Sequence, residues 1–179
     1  TLTNATAADA LKLTVNGTTA DAAILIALDG KTSVTVNAAA IKNIDGAVAT
    51  GAADVKAAYD ANALKTISGL GNETVDLSKA DDANASLVKA INDYTTGVIT
   101  LDTVNTATAA GNFSLSQLGD LKGITGLVNI DATNTVKDTI SISLNDLLAA
   151  NDSKNNFTFK VTGDNGAAVG SEDSVKITN

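Results

Sequence analysis

GAADVKAAYDANALKTISGLGNETVDLSKADDANASLVKAINDYTTGVITLD, residues 51–102, states one arrangement twice. A helix-like run, Ala53 to Tyr59, leads into a strand-like run, Leu64 to Ile67. Leu87 to Ile91 then leads into Gly97 to Leu101. Val55 and Tyr59 stand four apart, as do Leu87 and Ile91, so each pair falls on one face of a helix. Working outward, a further copy follows at Leu115–Leu121 leading into Gly126–Ile130, and an earlier one precedes at Ala23–Leu28 leading into Ser33–Val36. Counted from Val34 to Ile67, Val98 and Leu127, the steps are 33, 31 and 29 residues. A helix-plus-strand unit recurring at roughly thirty residues predicts a stacked, solenoid-like array.

The remaining elements follow from punctuation and alternation. Leu11, Leu13 and Val15 alternate with polar residues and predict a half-buried strand ending at Asn16-Gly17. Asp21 is placed to cap the helix that carries Ile24, Leu25 and Leu28, and Asp29-Gly30 stops it. Val34 and Val36 predict a strand, Ile41 and Ile44 a short apolar rung, and Thr74–Ser78 a second strand of the next unit. Asp81, Asp82 and Asn84 precede the third helix, whose stripe is Leu87, Val88 and Ile91, extended by Tyr94. A soft segment from Asn105 to Asn112 leads to a fourth helix at Leu115–Leu121. Beyond Asp131 the texture turns to strands, at Thr139–Leu144, Phe157–Val161 and Ser174–Ile177. The expected fold is α/β, a repeat solenoid of short helices flanking a mostly parallel sheet with a β-rich C-terminal end; a mainly β fold is the alternative. Residues 1–137 form the helix–strand region and 138–179 a cap or the start of another module.

Composition narrows the function. The chain of 179 residues has no Pro, Cys, His, Met or Trp, only two Tyr and three Phe, and a core vocabulary of Ala, Val, Ile and Leu suited to thin stacked layers. Its twelve basic residues are all Lys, and of its twenty acids only Glu73 and Glu172 are Glu. Asp belongs in turns, caps and oxygen-rich cation sites rather than on helix surfaces. A net charge of −8 without Arg argues against a nucleic-acid groove and an anionic membrane surface as partners. The sequence has no initiator Met, no signal peptide and no apolar run of eighteen residues. It therefore reads as an excerpted or processed segment that does not span a membrane.

"GAADVKAAYDANALKTISGLGNETVDLS", "LVKAINDYTTGVITLD" and "ALDGKTSVTVNAAAI" resemble the degenerate repeats of very large bacterial cell-surface proteins. These include S-layer-like and hemolysin-like proteins and giant adhesins of cyanobacteria and other marine bacteria. The tail "DTISISLNDLLAANDSKNNFTFKVTGDNG" is similar to segments near the ends of RTX-type adhesins. The first resemblance covers about residues 20–135 and the second 138–178. The chain has no GGxGxDxUx nonapeptide, so that calcium ligation does not carry over. What the resemblance implies is an extracellular structural or adhesive role, often in a calcium-containing medium.

Without His or Cys, zinc sites, Ser-His-Asp triads and Cys-His nucleophiles are excluded. Five aromatics without Trp make a poor sugar platform for a pair of carboxylates. The chain reads as a non-enzyme. Calcium is the one cofactor the residues suggest, with Asp164 and Asn165 between Gly163 and Gly166, Glu172 with Asp173, and Asp81 with Asp82 as candidate ligands. The competing reading is that these residues make the turns and caps that Pro does not. Seven Asn-x-Ser/Thr sequons, at Asn4, Asn16, Asn72, Asn84, Asn112, Asn151 and Asn156, follow largely from the Asn- and Thr-rich composition. The expected function is a structural component of a surface layer, sheath or extracellular filament. It would self-associate, or join adjoining modules, through its end strands Leu11–Val15 and Val175–Ile177. The alternative is an adhesin module whose Thr-rich face binds a glycan or a partner surface.

Overall fold

The structure is a computed structural model describing residues 10–46, 48–106, 112–127, 129–134, 136–146, 160–163 and 172–178. Strand β1 (Thr19–Asp21) runs directly into helix α1 (Ala22–Asp29), because the Asp21 carboxylate turns back to accept the Ile24 N–H at 3.1 Å. Two short strands, β2 (Val36–Asn37) and β3 (Asn43–Asp45), lead to α2 (Gly51–Ala63). Next come β4 (Ile67–Ser68), β5 (Thr74–Leu77) and α3 (Ala85–Tyr94), whose first turn is capped by Asn84 accepting the Leu87 N–H at 3.1 Å. Strands β6 (Ile99–Leu101), β7 (Thr103–Asn105) and β8 (Asn112–Ser114) precede two 3-10 helices, Leu115–Leu118 and Leu121–Gly123. The chain continues through β9 (Ile124–Thr125), β10 (Asn129–Ala132), β11 (Thr139–Ser143), β12 (Lys160–Gly163) and β13 (Ser174–Thr178).

Among the described residues every strand pairing is parallel. The fold is mixed α/β, with sheets ordered β1-β3-β5-β6-β9, β12-β10-β7, β13-β11-β8 and β2-β4 and no closed barrel. Parallel neighbours need a crossover between them, and α1, α2, α3 and the 115–118 turn supply it, lying side by side in chain order. The register places Ala20, Ile44, Val75, Ile99 and Ile124 in one column across the five-stranded sheet. Val36 and Ile67 make a second column, Val104, Ile130 and Val161 a third, and Phe113, Ile140 and Val175 a fourth. β10 pairs with β7 before residue 138 and with β12 after it, and β11 pairs with both β8 and β13.

Small residues let successive turns of chain close on each other. A Cβ on Gly51 would lie 1.6 Å from the Gly46 carbonyl oxygen, and one on Gly97 would lie 2.0 Å from that of Glu73. Both sites need a bare backbone.

The structure corrects three expectations. The repeat frame counted from Ile67 to Val98 crosses between sheets: Ile67 pairs with Val36, whereas Ile99 pairs with Val75 and Val98 is exposed. The true column steps, from Ala20 through Ile124, are 24, 31, 24 and 25 residues. Each of α1, α2 and α3 has a strand before it and a strand after it, and a bare apolar run does not say which of the two it forms. The fourth helix is two 3-10 turns, broken where Gly119 takes φ +93°. Leu11–Val15 forms no extended strand; it makes a bridge between Thr14 and Asn37, with Asn37 donating to the Leu13 carbonyl at 2.9 Å. The strand expected at 157–161 is described only from Lys160 onward.

Candidate functional site

All the candidate ligands but Asn165 are acidic, and the fold sorts the acids by what they accept. Asp21 and Asp45 end β1 and β3, Asp76 is the last residue but one of β5, and the three share one register column, which Thr100 and Thr125 continue. Like charges in neighbouring register repel, and two of these carboxylates are turned into the chain that follows them. Asp21 caps α1, and Asp76 accepts the Ser78 N–H at 2.9 Å. Asp131, the last residue but one of β10, accepts the Thr133 N–H at 3.0 Å and its hydroxyl at 2.6 Å.

Asp82 does the same at a distance along the chain. Thr50, in the cap position of α2, makes no capping bond with its side chain. Asp82, thirty residues on, accepts the Ala52 N–H at 2.9 Å on Oδ1 and the Ala53 N–H at 2.8 Å on Oδ2. A carboxylate at a helix N-terminus satisfies orphan donors and opposes the helix dipole. Asp81 beside it is exposed, and its main-chain carbonyl accepts from the Asn105 side-chain amide. Asp173 accepts the Asp138 N–H at 2.8 Å, while Glu172 is exposed at the approach to β13. Asp164 and Asn165 lie outside the described residues. Among the described residues no three acidic side chains gather as a metal centre would require.

Sequence reasoning missed the most enclosed carboxylate. Glu73 is fully buried, and its Oε2 accepts the Gly71 N–H at 2.7 Å, the Asn72 N–H at 3.2 Å and the Tyr59 hydroxyl at 3.2 Å. Its Oε1 is buried without a hydrogen-bond partner. The Thr95 hydroxyl donates to the Glu73 carbonyl at 2.7 Å. Burial pushes the Tyr59 hydroxyl far above its usual range, and the Glu73 charge adds to the shift. Outside this pocket the Tyr59 ring stacks on Tyr94 at 5.6 Å. Tyr94 donates to Asp60 at 2.9 Å, and Lys56, bonded to the same carboxylate at 2.6 Å, holds the Asp60 pKa below the usual value. The signal in the sequence was a Glu between Asn72 and Thr74 in a chain that has only one other, Glu172.

A second enclosed carboxylate, Asp138, accepts the Thr106 hydroxyl at 2.6 Å and the Asn134 amide at 2.8 Å. Its N–H goes to Asp173 and its carbonyl accepts from Ser174, so one residue ties the start of β11 to that of β13.

No family model, curated protein or solved structure matches the chain. The geometry alone therefore speaks for what these acids do. Asp82, Glu73 and Asp138 each hold groups from separate turns of the chain, and each fills its oxygens mainly with the protein's own donors. Such carboxylates act as joints.

Proposed function

We propose that the chain is a non-enzymatic structural segment of a bacterial surface layer, sheath or extracellular filament, and that its parallel coils form a solenoid. The observation that carries this is the inter-unit joint at Asp82, where one unit's carboxylate caps the helix of the unit before it. Each unit is completed by its neighbour, as in quasi-one-dimensional folds. Among the described residues β13 pairs on one side only, with β11, which supports a further strand on its other side. Val175 and Ile177 are in register with the buried Ile140 and Ile142, yet they are 52% and 60% exposed. A further coil, from a second copy or an adjoining module, would cover them. Among the described residues no helix is long and apolar enough to cross a membrane.

The adhesin alternative draws on the outward column of Thr19, Asn43 and Thr74. There the Thr74 hydroxyl is already bonded to the Asn43 amide oxygen at 2.8 Å, which favours the structural reading. In the proposed assembly, calcium and salt screen or bridge the acids of neighbouring copies. Light scattering and negative-stain microscopy of the purified chain across ionic strength and calcium test this. Expected are ordered, extended particles that Ile177→Lys suppresses without lowering the melting temperature. A monomer under all conditions would instead favour a stand-alone binding module.

A further inference from the structure

The described residues contain three sites where Asn or Asp precedes Gly: Asn16-Gly17, Asp29-Gly30 and Asp45-Gly46. Such pairs are prone to cyclise, because an unhindered Gly nitrogen can attack the preceding side-chain carbonyl carbon. The attack needs a nitrogen released from hydrogen bonding and a backbone able to swing toward the side chain. The Gly30 N–H donates to the Ile26 carbonyl at 3.0 Å, at the end of α1. The Gly46 N–H donates to the Asp76 carbonyl at 2.9 Å, and Val55, Leu77 and Gly51 crowd its α-carbon. Asn16 and Gly17 are both exposed. Among the described residues the Gly17 N–H donates to no main-chain acceptor, and the Asn16 amide makes no hydrogen bond. Asn16 also carries the better leaving group, since a carboxamide releases ammonia where an ionised carboxylate must expel oxide.

We propose that Asn16-Gly17 is a site of spontaneous deamidation and isoaspartate formation. The Gly17 nitrogen bonds to the Asn16 Cγ, the Cγ–Nδ2 bond breaks, and Nδ2 leaves as ammonia with the proton lost from Gly17. Water then opens the cyclic imide at either carbonyl, giving Asp or isoaspartate at position 16. The net reaction consumes one water and releases one ammonia per chain. The isoaspartyl product lengthens the main chain by one methylene and adds a negative charge. Its place gives it a structural consequence. Just before it, the Val15 N–H donates to the Asn37 carbonyl at 2.9 Å. Just after it, the Thr18 carbonyl accepts the Lys42 N–H at 2.7 Å and the Asn43 N–H at 3.0 Å. The link between two sheets' first pairings is what ages, independently of what the assembled protein does.

The test is incubation of the intact folded chain at mildly alkaline pH, with peptide mapping of residues 16, 29 and 45 and enzymatic labelling of isoaspartate. A urea-unfolded sample serves as the reference. The Asn16 peptide should gain about one dalton and take the label at a rate comparable to the unfolded reference. Asp29 and Asp45 should be protected until urea is added. Hydrogen exchange at Val15 and Asn43 should quicken in the aged chain and not in aged Asn16→Gln. An Asn16 peptide as protected by folding as the other two would overturn the proposal. Isomerisation at Asp45 ahead of position 16 in the folded chain would do so too.

Discussion

Asp82→Ala separates the two roles open to the acidic pair before α3. In the capping role the substitution strips the acceptor from the N–H groups of Ala52 and Ala53, bonded at 2.9 and 2.8 Å. Thr50 offers no replacement, because its hydroxyl is turned to Asp54 at 3.0 Å. Loss of a cap costs about 1 kcal/mol, and loss of a charge opposing the helix dipole adds about 0.3–1. The expected loss is therefore about 1–2 kcal/mol, which in a chain of this size lowers the melting temperature by roughly 2–8 °C. Asp82→Asn keeps an acceptor but not the charge and should lose about half as much. Asp81→Ala removes an exposed side chain and should stay within about 0.5 kcal/mol of the parent. The assay is thermal unfolding of the parent and all three variants, in chelator and again in millimolar calcium. A bound ion would stabilise by mass action and would involve both acids. Equal losses for Asp81→Ala and Asp82→Ala, present in calcium and absent in chelator, would refute the capping argument.

Ile91, fully buried on α3, should cost about 2–5 kcal/mol when truncated to Ala; a loss below about half a kilocalorie by urea unfolding would mean the helix stripe is misassigned. Gly97→Ala should be worse, because its Cβ meets main chain at 2.0 Å, and recovery of a soluble variant with parental stability would contradict the close approach. Tyr59 gives an alkaline signature. Its folded pKa lies above the ordinary 10.0, so above that pH the unfolded chain has released a proton that the folded chain keeps. The stability it contributes is complete below the ordinary value and is lost as pH rises toward the folded one. Tyr59→Phe should flatten the alkaline fall in melting temperature, and an unchanged slope would place the titration elsewhere.

The helices were legible because their signals are local. Val55 with Tyr59 and Leu87 with Ile91 keep helical spacing, and Asp21 and Asn84 stand where caps belong; Val55, Tyr59 and Ile91 are buried, Leu87 is half-buried against the core, and both caps are made. Which strand residues face the core was not legible. Val34 and Val98 have the residue type of a core strand, yet the chain buries Val36 and Ile99 and leaves those two exposed. In a strand of two or three residues, alternation is too short to fix which side faces inward. Register is set instead by the column a residue joins, and that depends on chain thirty residues away. The same shortness misled at Leu115–Leu121, where apolar spacing suited a helix but Gly119 at φ +93° breaks it into two turns.

The candidate site failed to be legible for a related reason. Asp81 and Asp82 are neighbours in sequence and alike in chemistry, yet only Asp82 reaches the N-terminus of α2. A cap supplied from beyond the next strands leaves no trace near the helix it serves; the local sign at Thr50 is merely a cap that forms no bond. Glu73 shows the complementary case. A longer side chain than Asp is needed to turn back on the Gly71 and Asn72 N–H groups while still meeting the Tyr59 hydroxyl from α2. That requirement explains a Glu at position 73 in a chain whose acids are mostly Asp. At Asp21, Asp76 and Asp131 the shorter carboxylate closes its own turn, whereas Glu73 closes its turn and also spans to a helix. Glu73→Asp should therefore fail to bridge Tyr59 even though charge and hydrogen-bonding type are kept. Measured by thermal unfolding, Tyr59→Phe should then cost less in the Glu73→Asp background than in the parent, and equal costs would show that the bridge survives the shortening.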